Sequence, residues 1–237
     1  MCEKNARALI VSYKASNKLI SFIEELGIEV ILTAESNADK RINDHADLQI
    51  FPLDENTYIA SKETFKFYKH ALKKFDKQVI EATSFVEEIY PKDCPLNVFT
   101  LDKYYVTKKD VIDKKLESEL QAKGFEPIYQ NQAYAKCMTI ANESWAITND
   151  MSIYKALKNK DLEVYLISNE NIGLDGFKIG FLGGSCGIID SRKILFTGDI
   201  SKLKEADKLI SILQEKGFEI LYPDCELVDL GSIIPVF

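Results

Sequence analysis

Histidine is scarce in this sequence. Only His45 and His70 occur in 237 residues, so any imidazole chemistry has two candidates. Cysteine is present five times, an odd number with no Cys-x-x-Cys pair, which fits free thiols in a reducing cytosol better than a disulfide framework. Neither a Gly-x-Gly-x-x-Gly loop after a strand nor a Gly-Lys-Ser/Thr triplet is found, which argues against a phosphate loop. No apolar run approaches the roughly 18 residues that span a bilayer, and no apolar signal segment follows Met1. The expectation is an unexported, cytoplasmic, bacterial-type protein. A basic surplus is missing too: the formal charge is −7 and the pI near 5.1, which opposes nucleic acid or an anionic membrane as partner. No Pro/Gly/Ser-rich linker divides the chain, so residues 1–237 are expected to form one domain.

What the sequence does contain is a repeat. In His45 to Ser61, Leu48, Ile50 and Leu53 alternate with polar residues, Asp54 to Asn56 turn the chain, and Thr57 to Ala60 run back. That pattern predicts a β-hairpin with His45-Ala46-Asp47 at its mouth. Hairpins of the same form have their turns at Asp102, Asn142 and Asp190, spaced 48, 40 and 48 residues from Asp54 onward. A period of this size is one supersecondary unit. A fifth copy starts at Leu227 to Phe237, where Asp229 falls on Asp47, but its second strand is missing. Ala6 to Ser12 supplies it, so the two ends of the chain should close one module.

Each hairpin leads into a helical stretch and then a strand. Helices are expected over 17–26, 63–75, 109–123, 151–159 and 201–216, each followed by an apolar strand. Phe65, Tyr68, Leu72 and Phe75 make an apolar stripe, and His70 lies off it as a solvated residue. Gly27, Gly124 and Gly217 each stop a helix. Five hairpin-helix-strand units cannot bury their faces alone. Closed in a ring they form a five-fold pseudosymmetric α/β propeller, helices outside, with the hairpin mouths converging on the axis.

A ring of such modules, with His45-Ala46-Asp47 and Cys137-Met138-Thr139 set 92 residues apart, resembles the pentein superfamily of guanidino-group-modifying enzymes. These are the arginine and agmatine deiminases, dimethylarginine dimethylaminohydrolases and amidinotransferases. The chain looks closer still to an uncharacterised bacterial family with that fold. The resemblance implies Cys137 as nucleophile, with His45 and Asp47 as its catalytic partners. It further implies a small cationic guanidino or amidino ligand, no cofactor and no metal. The superfamily's Glu-Gly-Gly-Asp is absent before the His-x-Asp, and Gly183-Gly184-Ser185-Cys186, the nearest stretch, lies after Cys137. Gly183, Gly184, Ser185, Cys186 and Asp229 are therefore the expected substrate-binding residues, with Cys186 a rival nucleophile.

Bland readings stand beside these. Cys137 could be a small buried strand residue, His45 a structural imidazole, and Asp47 or Asp190 a turn cap. Cys94, Cys137, Cys186 and Cys225 with His45 could in principle meet as a zinc site, though they lack paired ligand spacing. Some proteins with this propeller, such as ribosomal-subunit anti-association factors, bind without catalysing. A non-catalytic binding protein is the alternative function.

Overall fold

The computed structural model describes residues 5–237, so Cys2 lies outside the described residues. The chain runs β1 (Ala8–Val11), α1 (Asn17–Glu25) and β2 (Glu29–Leu32) before the first hairpin. Next come α2 (Ala46–Gln49), β3 (Ile50–Pro52), β4 (Thr57–Ala60), α3 (Phe65–Ala71) and β5 (Gln78–Glu81). The third unit is β6 (Phe99–Leu101), β7 (Tyr104–Lys108), α4 (Lys114–Ala122) and β8 (Glu126–Gln130). The fourth is β9 (Thr139–Ala141), β10 (Trp145–Thr148), α5 (Met151–Lys158) and β11 (Glu163–Leu166). Then follow β12 (Cys186–Ile188), β13 (Lys193–Phe196), α6 (Ala206–Glu215), β14 (Glu219–Leu221) and finally β15 (Ile234–Val236).

These strands make five three-stranded sheets of one design. In each, a first strand pairs antiparallel with a middle strand, and the middle strand pairs parallel with a third reached through the helix. Thus Phe51 faces Ile59, and Ile59 faces Ile80. The closing module follows the same rule, with Leu9 facing Pro235 on one side and Val30 on the other. The N-terminal strand is the middle strand of the sheet that the C-terminal strand begins. This is the five-fold α/β propeller expected from the repeat, and no helix among the described residues is long and apolar enough to cross a membrane.

The modules are held by apolar packing between sheet and helix. Ser16 caps α1, its hydroxyl accepting the Leu19 N–H at 3.2 Å, and the helix turns Leu19 and Ile23 inward to complete burial. Burying each is worth about 2 kcal/mol. Between the fourth and fifth modules Trp145 meets Phe218 edge-on, with ring centroids 5.5 Å apart. All five helical segments exit through a left-handed residue: Gly27, Gly124 and Gly217, and in the other two modules Asp76 (φ 60°) and Asp161 (φ 56°). Asp, like Gly, tolerates this region, which is why two exits were missed from glycines alone.

Three expected elements differ. The stretch before β3 is not strand: Ala46 to Gln49 form one helical turn, wholly buried, and β3 starts only at Ile50. The apolar alternation through Leu48 reflects burial on all sides of that turn rather than a pleat. The helix expected over 109–123 starts at Lys114, because the Asp113 carboxylate accepts the Lys115 and Leu116 N–H groups and fixes the cap there. The one expected over 201–216 starts at Ala206, after a short 3₁₀ turn capped by Asp199. His70 is exposed on α3, as its position off the stripe required.

Candidate active site

The helical turn α2 is what brings His45 and Asp47 to the axis. Its anchor is Gln49, fully buried, whose amide donates to the Ala34 and Asn43 carbonyls at 2.8 Å each and accepts the Tyr68 hydroxyl at 2.7 Å. Just upstream, Asp44 is bound by Lys14 Nζ at 2.6 Å and by the Ser12 hydroxyl. Between these two anchors His45 has no freedom to swing out, and it is 4% exposed. Gly231 packs against it so closely that a Cβ there would lie 2.2 Å from His45 Cβ.

Cys137 comes from the loop before β9. Its Sγ lies 3.0 Å from Asp47 Oδ2, placed to donate, and accepts from Asn97 Nδ2 at 3.0 Å. Asn97 Oδ1 in turn accepts the backbone N–H groups of Lys136 and Cys137 at 2.8 and 3.2 Å, so one amide orients both the sulfur and its backbone. One nitrogen of His45, one oxygen of Asp47 and the sulfur of Cys137 all lie within 4.8 Å of one another. That trio could in principle hold a divalent ion. The four described cysteines do not converge on a zinc site: Cys94 contacts Asp93, Cys186 the Leu182 carbonyl and Cys225 the Thr197 carbonyl.

Asp229 completes the acidic half. It is 1% exposed, its Oδ1 accepts the Gly231 N–H at 3.0 Å and lies 4.0 Å from His45 Nδ1, and its Oδ2 accepts the Phe181 N–H at 2.9 Å. Burial raises its carboxyl above the usual range; the His45 ring opposes that shift and the Asp47 charge adds to it. Burial foremost, and then the charges of Asp47 and Asp229, push the Cys137 thiol well above its ordinary value.

The glycines of this stretch pack closely against protein. Gly184 donates its N–H to the Cys137 carbonyl at 2.8 Å, and a Cβ on Gly183 would meet the Lys136 carbonyl at 2.3 Å. Ser185 Oγ turns away to the Leu182 carbonyl at 2.8 Å. Cys186 is sealed, and burial pushes its thiol up to about 12. Asp190 accepts the Arg192 N–H at 2.6 Å and so caps its turn.

Gly184 also yields a prediction. A Cβ there would stand 2.0 Å from Asp229 Oδ1, and both groups are tethered by backbone hydrogen bonds. Gly184→Ala is expected to cost about 3 kcal/mol or more and to lower the melting temperature by about 6 to 12 °C in a thermal scan. An unchanged melting temperature would show that Asp229 can move freely.

Two residues at the site, Asn97 and Ser232, escaped sequence reasoning. Asn97 and Ser232, like Cys137, stand two residues before the first strand of their module, so extending the repeat to the mouth positions would have found them. Ser232 has φ +68°, a conformation costing about 1 kcal/mol or more outside glycine. Its hydroxyl lies 2.6 Å from Asp47 Oδ2 and 3.0 Å from the Gly183 carbonyl, and Lys136 Nζ donates to it at 3.3 Å. Asp47 Oδ2 is thus doubly bound. Asp47 Oδ1, equally buried, has no hydrogen-bond partner among the described residues.

The ring of five sheets carrying these side chains defines the class: the chain has the pentein fold. Agmatine deiminase from C. jejuni, a cysteine-to-serine mutant with substrate bound, is similar over 98% of this chain and 94% of its own, with 9% identity and TM-score 0.60. DDAH from Pseudomonas aeruginosa, a cysteine-to-serine mutant complexed with citrulline, matches over 93% of each chain at 8% identity and TM-score 0.57. Inosamine-phosphate amidinotransferase from Streptomyces griseus covers 99% of this chain and 94% of its own at 11% identity and TM-score 0.57. No curated protein matches the sequence. Within the fold, residues 10–234 match the Family of unknown function (DUF6873), and the chain belongs to that family.

Proposed function

We propose that this protein is a cysteine-dependent hydrolase or transferase acting on a guanidino or amidino group through a covalent S-amidino intermediate. The observation that carries the reading is the Cys137 sulfur 3.0 Å from Asp47, with His45 in the same buried cluster. The likeness to deiminase, dimethylaminohydrolase and amidinotransferase structures supports the general class.

The chemistry follows from charge. A planar cation docking on Asp47 neutralises the carboxylate that holds the thiol protonated, and the sulfur then loses its proton to His45. Sulfur adds to the amidino carbon, the C–N π pair moves onto nitrogen, and the neutral tetrahedral intermediate keeps its N–H groups toward Asp47 and Asp229. His45 returns the proton to one nitrogen, that C–N bond breaks, and the amine leaves the amidino group on sulfur. Water deprotonated by His45 adds next, and collapse restores the thiol and yields a ureido product. An amine in place of water makes the reaction a transfer.

Binding without chemistry is the competing reading, and the 2% exposure and elevated thiol of Cys137 favour it. Against it stands the setting of the sulfur, which is polar rather than an apolar packing site.

The two are separated by intact-mass spectrometry after limited treatment with 2-chloroacetamidine. One amidino adduct is expected on the wild type, none on Cys137→Ser, and a rate lowered about 100-fold in His45→Ala. An adduct that follows Cys186 would move the nucleophile. Equal labelling of every accessible thiol would make binding the function.

A further inference from the structure

The axis of the propeller is a cavity. It measures about 300 Å³ and takes its wall from all five first strands, through Pro52, Thr100, Ile140, Ile188 and Ile234. Lys136, Cys186 and Asp47 lie at the end where the strands begin; Asn142, Glu143 and Phe237 lie at the hairpin-turn end, where Pro52 and Glu143 are exposed. Among the described lining residues only Asp47, Lys136 and Glu143 have charged side chains, and the rest of the wall is dominated by aliphatic and aromatic side chains. On the mouth side the trio is closed over, at 4% exposure for His45 and 2% each for Asp47 and Cys137.

One lining group is unsatisfied. Asp47 has an oxygen with no hydrogen-bond partner among the described residues, in a position 98% shielded from water, a costly arrangement unless a donor arrives from elsewhere. The ammonium already at hand, Lys136 Nζ, is engaged with Ser232 instead. A cavity of this size lined by apolar side chains with one or two fixed polar groups has the form of a small-molecule pocket.

We infer that the axial channel holds the substituent of the substrate, and that the substrate is a monosubstituted guanidine or amidine whose substituent is apolar and uncharged. The inference rests on the amidino reading of the site, which it deepens. The cationic head meets Asp47, the one member of the trio that lines the cavity and the residue whose Oδ2 the Cys137 thiol contacts from behind the wall, and the substituent lies along Ile140, Ile188 and Ile234 toward the hairpin-turn face. A substituent ending in a second ammonium places that charge against the aliphatic wall, or out at solvated Glu143, and forfeits the gain. An amino-acid head group has no paired acid and base along the wall to receive it.

The test is calorimetric titration of the intact protein with guanidinium ion, agmatine and pentylguanidine. Each fully buried methylene is worth on the order of fourfold in affinity. With the chain partly buried, pentylguanidine is expected to bind about 30-fold more tightly than either guanidinium or agmatine. Thr100→Phe, which fills the channel from one wall, is expected to bring that ratio to about one, and Ile188→Phe repeats the test from another wall if the first variant misfolds by circular dichroism. Equal affinity for pentylguanidine and agmatine in the wild type, with guanidinium still bound, overturns the channel and leaves the amidino site standing. An undiminished preference in the filled variants also overturns it. Failure of guanidinium itself to bind overturns both readings.

Discussion

Between pH 8.5 and 10 the folded protein is expected to lose about 5 kcal/mol of stability, more than most single substitutions would remove. The reason lies in three sealed thiols. Cys94, Cys137 and Cys186 are each 1–2% exposed, and burial raises all three above the ordinary thiol range, with acidic neighbours adding to the effect at Cys94 and Cys137. In the unfolded chain each ionises near pH 8.5, while in the fold each keeps its proton. Over that window the native state binds more protons than the unfolded state, so stability falls as pH rises, by about 1.4 kcal/mol per unit for each thiol once above 8.5. For a raised pKa the stabilising contribution is full below the unfolded value and fades through the folded one. Urea titrations at half-unit intervals measure the slope, and Cys137→Ser should reduce it by about one third. A Cys137→Ser slope equal to that of the wild type would mean that Cys137 is already a thiolate in the resting protein.

That measurement bears directly on how Cys137 would become the nucleophile of the proposed reaction. A resting thiolate needs a nearby fixed cation, and the groups facing Cys137 are instead Asp47, with Asp229 beyond it. Lys136 Nζ, the ammonium at hand, is turned to Ser232 and not to the sulfur. On the proposed function, activation by the ligand's own charge suits a site that must not alkylate or oxidise between turnovers, and it couples chemistry to correct occupancy of Asp47. Backbone strain lies beside the same carboxylate, at Ser232 with its left-handed φ of 68°.

How much of this was legible in the residues can be stated by position. The ring was legible because each module repeats a hairpin whose turn residues keep their spacing, and because Ala6 to Ser12 had no partner except the strand at Phe237. His45, Asp47 and Cys137 could be singled out by type and by a two-module separation. Their mutual contact could not, since it depends on how far five sheets tilt before they close, a quantity no local pattern carries. Asn97 was hidden by chemistry rather than by place: an amide suggests a cap, and only the sulfur at 3.0 Å reveals what it holds. The helical turn at Ala46 was hidden because a buried turn and a buried strand present the same apolar composition. Gly183 and Gly184 were legible as points of close approach, but the group they approach is protein, Asp229 and the Lys136 carbonyl, and a sequence does not name the partner.

Asp47→Asn is expected to abolish adduct formation at Cys137 and at the same time to stabilise the fold. The two effects come from one atom pair. In the wild type Oδ2 is bound by the Ser232 hydroxyl and the Cys137 thiol, while Oδ1 is buried without a donor. An amide in this place keeps an oxygen toward Ser232 and Cys137 and exchanges an unpaired charged oxygen for a neutral NH₂ group, whose burial costs less. A gain of about 1 to 2 kcal/mol follows, read as a rise of about 2 to 8 °C in melting temperature. The ligand sees the opposite change, because a neutral amide presents an N–H where a cation requires a carboxylate, and repels the head group it should hold. Labelling by 2-chloroacetamidine is then expected to fall at least 100-fold, with the loss concentrated in affinity at low reagent concentration. Asp47→Ala separates the terms: it also abolishes labelling, but leaves Ser232 and Cys137 without their acceptor, so it should destabilise. If Asp47→Asn instead lowers the melting temperature, Oδ1 has a partner in solution and the empty site is not under electrostatic stress. If it labels like the wild type, Asp47 does not hold the cation, and Asp229 must carry that role alone.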